Sequence, residues 1–138
     1  MTYLIDTNVI SEHTRPRPDA NVLAWLRHIP IEEQHLSTLT LGEIRYGIER
    51  LTTGARQEAL RLWLDTSLVN LFAERLLPVS IQVADRWGRL RLEVRRTIPA
   101  IDSLIAATAL HHDLRLVTRN ESELSGIPGL TIVNPWRL

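Results

Sequence analysis

Short apolar runs alternate along this chain with longer stretches in which apolar residues recur every three or four positions. That alternation predicts a mostly parallel α/β sheet with helices packed on it. Thr2-Tyr3-Leu4-Ile5 reads as a first strand, and residues 19–28 as a helix with Val22, Leu23, Trp25 and Leu26 on its apolar side. Residues 34–37 form a weaker second strand. Leu41, Ile44, Ile48 and Leu51 mark a helix over 41–52, and Leu60, Leu64 and Leu68 mark one over 55–72. Leu76, Leu77 and Val79 make a short strand interrupted by Pro78. The clearest amphipathic helix covers 81–96: Val83, Trp87, Leu90 and Val94 share a stripe, and Arg86, Arg89, Arg91, Arg95 and Arg96 fall mostly elsewhere. Ile101 to His111 is a further helix, whose run of small residues allows close packing. Strands at 114–118 and 130–133 complete the pattern. Arg15-Pro16-Arg17-Pro18 reads as a stiff surface loop.

A chain of 138 residues is expected to form one domain, residues 1–138, with a proper core. No stretch approaches the roughly 18 apolar residues of a membrane span. Asp6 stands where a secretion signal carries its apolar segment, so a cytoplasmic protein is expected. The 16 basic and 16 acidic residues cancel, which argues against a protein that coats nucleic acid indiscriminately but allows a basic rim around an acidic centre. There is no cysteine, so thiolate metal sites and cysteine nucleophiles are excluded. All the basic residues are arginine; without lysine, Schiff-base chemistry and the phosphate-binding lysines of kinases and P-loop proteins are excluded too.

The candidate chemistry rests on Asp6, Glu43 and Asp102, each of which follows an apolar segment near an expected helix start. In an open α/β sheet, ligands sit beyond the carboxyl ends of the strands. Acids gathered there repel one another unless one is protonated or a divalent cation binds. Each has a capping explanation as well. Asp6 suits an N-cap, Thr40-Leu41-Gly42-Glu43 matches the capping box, and Asp102 suits a helix dipole. Capping does not require the three to converge; a metal site does. Asn120, after the 114–118 strand, either positions a water or hydroxyl or caps a short final helix, and Glu123 is a further carboxylate that could swing in but taken alone reads as a solvated charge. The sequence contains no H-E-x-x-H, G-x-S-x-G or G-x-G-x-x-G motif, so zincin, serine-hydrolase and dinucleotide-binding chemistry lack their signatures.

Four segments carry a family resemblance. Leu4-Ile5-Asp6-Thr7-Asn8-Val9-Ile10-Ser11-Glu12 resembles the opening of PIN-domain ribonucleases. Ser37 to Ile44, Ile101 to Ala109 and Leu116-Val117-Thr118-Arg119-Asn120 resemble the family's later motifs, in order and at compatible spacing. The proline-rich loop and the terminal Asn134-Pro135-Trp136 resemble the VapC/FitB-like toxin branch. The resemblance implies a three-layer α/β/α fold and an Mg²⁺- or Mn²⁺-dependent endoribonuclease, the toxin of a type II toxin–antitoxin pair. It maps the metal-binding and catalytic acids onto Asp6, Glu43 and Asp102, and places Asn120 where many relatives have a fourth acid. It also implies an RNA substrate, an inhibitory antitoxin and a homodimer. Arg15, Arg17 and Arg119 are then candidates to hold flanking phosphates, and Trp25, Leu26, Trp63 and Leu64 to offer an exposed apolar docking surface. Two other readings stand beside this one: a scaffold module that keeps the fold without cleavage, and a different metal-dependent phosphohydrolase.

Overall fold

The computed structural model describes residues 1–138. Five parallel strands form one sheet: β1 (Tyr3–Ile5), β2 (Gln34–Ser37), β3 (Leu76–Leu77), β4 (Arg115–Val117) and β5 (Ile132–Val133), in the order β3-β2-β1-β4-β5. Between them run α1 (Thr7–Ile10), α2 (Ala20–His28), α3 (Thr38–Glu49), α4 (Ala55–Leu62), α5 (Val69–Leu71), α6 (Ile81–Glu93), α7 (Ala100–His111) and α8 (Glu121–Leu124).

The side-chain period of two sends alternate residues of β1 into opposite layers. Tyr3 and Ile5 enter one core with Val9, Val22, Leu36, Ile44, Ile48, Leu64, Leu68 and Phe72. Leu4 enters the other, with Leu90 from α6 and Ile105, Ala106 and Ala109 from α7. The sheet is therefore buried on both faces, as a parallel sheet requires, and the architecture is three-layered α/β/α. The small residues of α7 let it lie close to the sheet, with Ala106, Ala107, Thr108 and Ala109 all buried.

Most expected elements form, and the departures have local causes. Helix α3 begins at Thr38 rather than 41, because Ser37 closes β2 and accepts the Leu39 N–H on its side chain. The helix expected over 55–72 forms as an unbroken stretch through Leu71 but is not regular throughout. Residues Trp63–Leu68 open into a wider π-type turn, which keeps both Leu64 and Leu68 buried. The amphipathic helix stops at Glu93, with Val94 already extended. The proline-rich loop is tied down by the buried Glu12, whose Oε2 accepts the Asp19 N–H at 2.8 Å. The expected apolar docking surface is corrected as well. Leu64 is core, Trp25 packs edge-to-face on Tyr3 at 5.2 Å, and Leu26 and Trp63 lie partly buried against the same core. The large apolar side chains that do face solvent include Tyr46, Leu62, Ile81 and Leu92. No helix is long and apolar enough to cross a membrane.

Candidate functional site

The strand order fixes where a site can form. The chain leaves β1 toward β2 and β3, then crosses back to β4 on the other side of β1. The direction of winding reverses between β1 and β4, and the crevice beyond their carboxyl ends is where open α/β sheets bind ligands.

Asp6 is the first residue past β1 and Thr118 the first past β4, so both stand at that crevice. Asp6 is only 4% exposed. Its Oδ1 accepts the Thr7 N–H at 2.8 Å, and its Oδ2 accepts the Thr118 hydroxyl at 2.7 Å. The capping role expected of Asp6 is therefore real, and it leaves the carboxylate facing the crevice edge rather than replacing that function. Burial raises its pKa above the ordinary carboxylate range, and nearby Glu43 adds to the rise. The bonds from Thr118 and Thr7 oppose it.

Glu43 arrives by a different route from the one its sequence context suggests. It lies inside α3, not in its first turn, and the capping box with Thr40 does not form: Ser37 is the N-cap and Thr40 is buried. The Glu43 carboxylate instead accepts the Thr7 hydroxyl at 2.6 Å, and Thr7 Oγ1 lies 3.1 Å from Thr40 Oγ1. Thr7 thus joins two acids, giving its N–H to Asp6 and its hydroxyl to Glu43.

Asp102 occupies the first turn of α7. Its pKa is raised to about 6, first by burial and then by repulsion from Asp6, Glu123 and Glu43. The structure therefore brings all three expected acids to one edge and adds Glu123 from α8. None of the four forms an ion pair; the salt bridges of the molecule engage other acids. The acids do not already close as a compact cluster of three on one point.

Asn120 sits at the N-terminal end of α8, but its side chain makes no capping bond; its backbone N–H donates to Thr118 Oγ1 at 3.0 Å and its carbonyl accepts the Leu124 N–H at 3.2 Å. Of the rim arginines, Arg15 reaches Glu12 at 3.8 Å, and Arg119 lies over the Trp136 ring at 4.9 Å, with its backbone N–H on Asn8 Oδ1 at 3.2 Å.

Thr7, Asn8 and Thr118 are the site residues that sequence reasoning missed. They stand beside Asp6 and at the end of β4 in Asp6-Thr7-Asn8 and Val117-Thr118-Arg119. Short hydroxyl and amide side chains directly after two neighbouring parallel strands were the available signal.

The donors at this edge suit a hard divalent cation. All are carboxylate or hydroxyl oxygens, none carries a cationic partner, and two acids are pushed toward the protonated state, first by burial and then by their acidic neighbours. Asp6, Asp102 and Glu43, with Glu123 adjoining them, are the residues whose chemistry suits such an ion, but no three of them stand close enough to form a ready-made site.

A family model for the PIN domain matches residues 3–129. The chain is 38% identical to the toxin FitB of Neisseria gonorrhoeae over 136 residues, 96% of this chain and 97% of that protein. It is 34% identical to the VapC ribonuclease Y4jK of Sinorhizobium fredii over 96% of each. The crystal structure of FitAcB from Neisseria gonorrhoeae superposes with a TM-score of 0.94 at 37% identity, covering 99% of this chain and 100% of that one.

Proposed function

The chain belongs to the PIN domain family, and from that premise we propose that it is a divalent-metal-dependent endoribonuclease, the toxin of a toxin–antitoxin pair, with residues 1–138 acting as one nuclease domain. The observation that carries the reading is the group of unpaired acids Asp6, Glu43, Asp102 and Glu123 at the β1–β4 crevice. The named relatives, a toxin and a VapC ribonuclease, point the same way.

Asp6 and Asp102 would hold Mg²⁺ or Mn²⁺, and Glu43 would either join them or orient a water. When bound, the cation neutralises charge on the phosphate and lowers the pKa of its water. The protein's own part is positioning. Thr118 and Thr7 fix the Asp6 carboxylate from both sides, so its oxygens do not rotate away. Thr7 also restrains Glu43, the exposed and otherwise mobile acid of the set. Glu123 provides the fourth carboxylate in the place where Asn120 has none, and the Asn120 amide is free to bond a water or a phosphate oxygen.

The antitoxin partner has a matching entry. A groove lined by Ile44, Ile48, Leu60 and Trp63 runs to Thr7 and Glu43. An arginine delivered along it would neutralise the acids in place of metal. Homodimer formation is expected from the family.

The experiment is cleavage of RNA, single-stranded DNA and a phosphomonoester with Mg²⁺ or Mn²⁺, using Asp6→Asn as the control. RNA is cut, EDTA stops the reaction, and the folded Asp6→Asn chain is inactive. Equal cleavage by that variant removes Asp6 from the mechanism. Hydrolysis of the phosphomonoester alone would make the protein a phosphatase.

A further inference from the structure

A cavity of about 460 Å³ lies between the end of α6 and the start of α7, the helix whose first turn carries Asp102. Leu90, Val94 and Ile98 give it apolar walls, and Trp87, Arg91 and Arg96 supply its aromatic and charged groups. Two features tie it to the acids. Ser103, which lines it, directly follows Asp102 on α7. Arg96 donates to the carbonyls of Glu123 at 2.8 Å and Ser125 at 2.7 Å, linking the cavity to α8, which carries Glu123.

The cavity has the chemistry of a base platform. The Trp87 indole is fixed by its Nε1–H, which donates to Ser103 Oγ at 2.9 Å; that hydroxyl in turn donates to the Ala100 carbonyl at 2.8 Å. The Arg91 guanidinium lies over the indole, 4.8 Å from the ring centre. A planar cation on a fixed aromatic ring is a stacking surface for an unpaired nucleobase.

The charges along α6 are divided in the same sense. Arg86 and Arg89 are neutralised by Glu93 and Asp85, each at 2.9 Å. Arg91, near the end of α6, and Arg95 and Arg96 just beyond it form no ion pair. Unpaired cations beside a cluster of carboxylates offset the repulsion that the cluster exerts on a polyanion.

We propose that this cavity is a nucleobase subsite: it takes the base of a ribonucleotide next to the phosphodiester at the acidic edge, stacked on the Trp87–Arg91 pair, with Arg95 facing a flanking phosphate. The inference rests on the nuclease reading for its substrate. It adds the residues that would select which nucleotide lies beside the cut.

The test is made in EDTA, so it does not depend on cleavage. The chain has four tryptophans, and Trp87→Phe identifies the Trp87 indole N–H signal in a proton–nitrogen NMR spectrum. AMP, GMP, CMP, UMP and inorganic phosphate are titrated separately. At least one nucleotide shifts the Trp87 signal saturably and phosphate does not, and Arg91→Gln weakens that binding about tenfold. Silence of Trp87 toward all four nucleotides overturns the proposal, which is also the result for a cavity reserved for a peptide of a protein partner. An equal response to phosphate alone makes it an anion site and overturns base recognition. The two readings fail separately. Asp6-dependent RNA cleavage with a silent Trp87 removes only the subsite. A responsive Trp87 in a chain that cuts no RNA removes only the nuclease.

Discussion

Thr118→Val tests the hydroxyl that steadies the central acid. Valine matches threonine in shape, so little packing changes at this fully buried position. The variant removes the 2.7 Å hydrogen bond to Asp6 Oδ2 and the acceptor for the Asn120 N–H. A hydrogen bond to a charged group contributes about 1.5–3 kcal/mol, and here the orphaned acceptor is a buried carboxylate oxygen. The expected loss is about 2 kcal/mol near pH 7, or roughly 6–10 °C in Tm for a domain of this size. The loss shrinks in acid, where a protonated Asp6 needs the donor less. Without Thr118 the Asp6 pKa climbs further, so the acid limb of the cleavage profile moves to higher pH. Thr118→Ser, which keeps the hydroxyl, restores most of both effects. Thermal melts at several pH values and a pH–rate profile measure them. A Thr118→Val protein as stable as the parent, with an unmoved acid limb, refutes the assigned role.

Metal-free stability should fall as pH rises through the range of Asp102. Its folded pKa of about 6 lies above the unfolded value, so the folded state holds the extra proton between the two, and that stabilisation is gone once pH passes the folded value. Solvent screening of this half-exposed group limits the effect to about 1 kcal/mol. Melts without metal at pH 4.5 and pH 7.5 check it, after allowance for other titrating groups by comparison with Asp102→Asn. Cation affinity has the opposite dependence, rising through pH 6 as the acids ionise. Mg²⁺ or Mn²⁺ at 100 times its Kd should add about 2.7 kcal/mol and raise Tm by roughly 10 °C at pH 8. Asp102→Asn abolishes that shift while leaving the metal-free protein at least as stable as the parent at pH 8. Gln57→Ala is the structural counterpart. Gln57 is buried, and its amide donates to the Ile48 and Leu51 carbonyls at 3.1 and 3.2 Å. Its loss lowers Tm by the equivalent of about 1–3 kcal/mol and leaves the metal-induced shift intact.

The sheet and the location of the acids were legible because their signals are local. Tyr3-Leu4-Ile5 followed by Asp6, and Leu116-Val117 followed by Thr118, are short buried strands ending in polar residues. Parallel strands sandwiched between helices place such ends on one edge. The route of Glu43 was not legible. Thr40-Leu41-Gly42-Glu43 satisfies the capping pattern, but Ser37 offers its side chain three residues earlier, at the point where the strand ends. Once Ser37 caps, Thr40 turns inward and Glu43 is free to meet Thr7. The wide turn at Trp63–Leu68 escaped notice because four-residue spacing of leucines looks the same in a regular helix and in one that accommodates an extra residue. Leu64 was misplaced for a related reason, since periodicity gives the apolar stripe but not which layer covers it. The position of Asn120 allows two roles, and its side chain performs no capping. Glu123 reads from sequence as one more surface acid, because nothing local shows that α8 puts its charge against Asp102.

The account turns on one cation held at the end of β1 and β4. The direct measurement is anomalous diffraction at the manganese edge from crystals grown with Mn²⁺. The account predicts a peak bonded to Asp6 and Asp102 oxygens, with Glu43 or a water held by Glu43 completing the near side, and loss of that peak in Asp102→Asn. A manganese ion bound elsewhere while the Asp6–Asp102 edge stays free of density would contradict it.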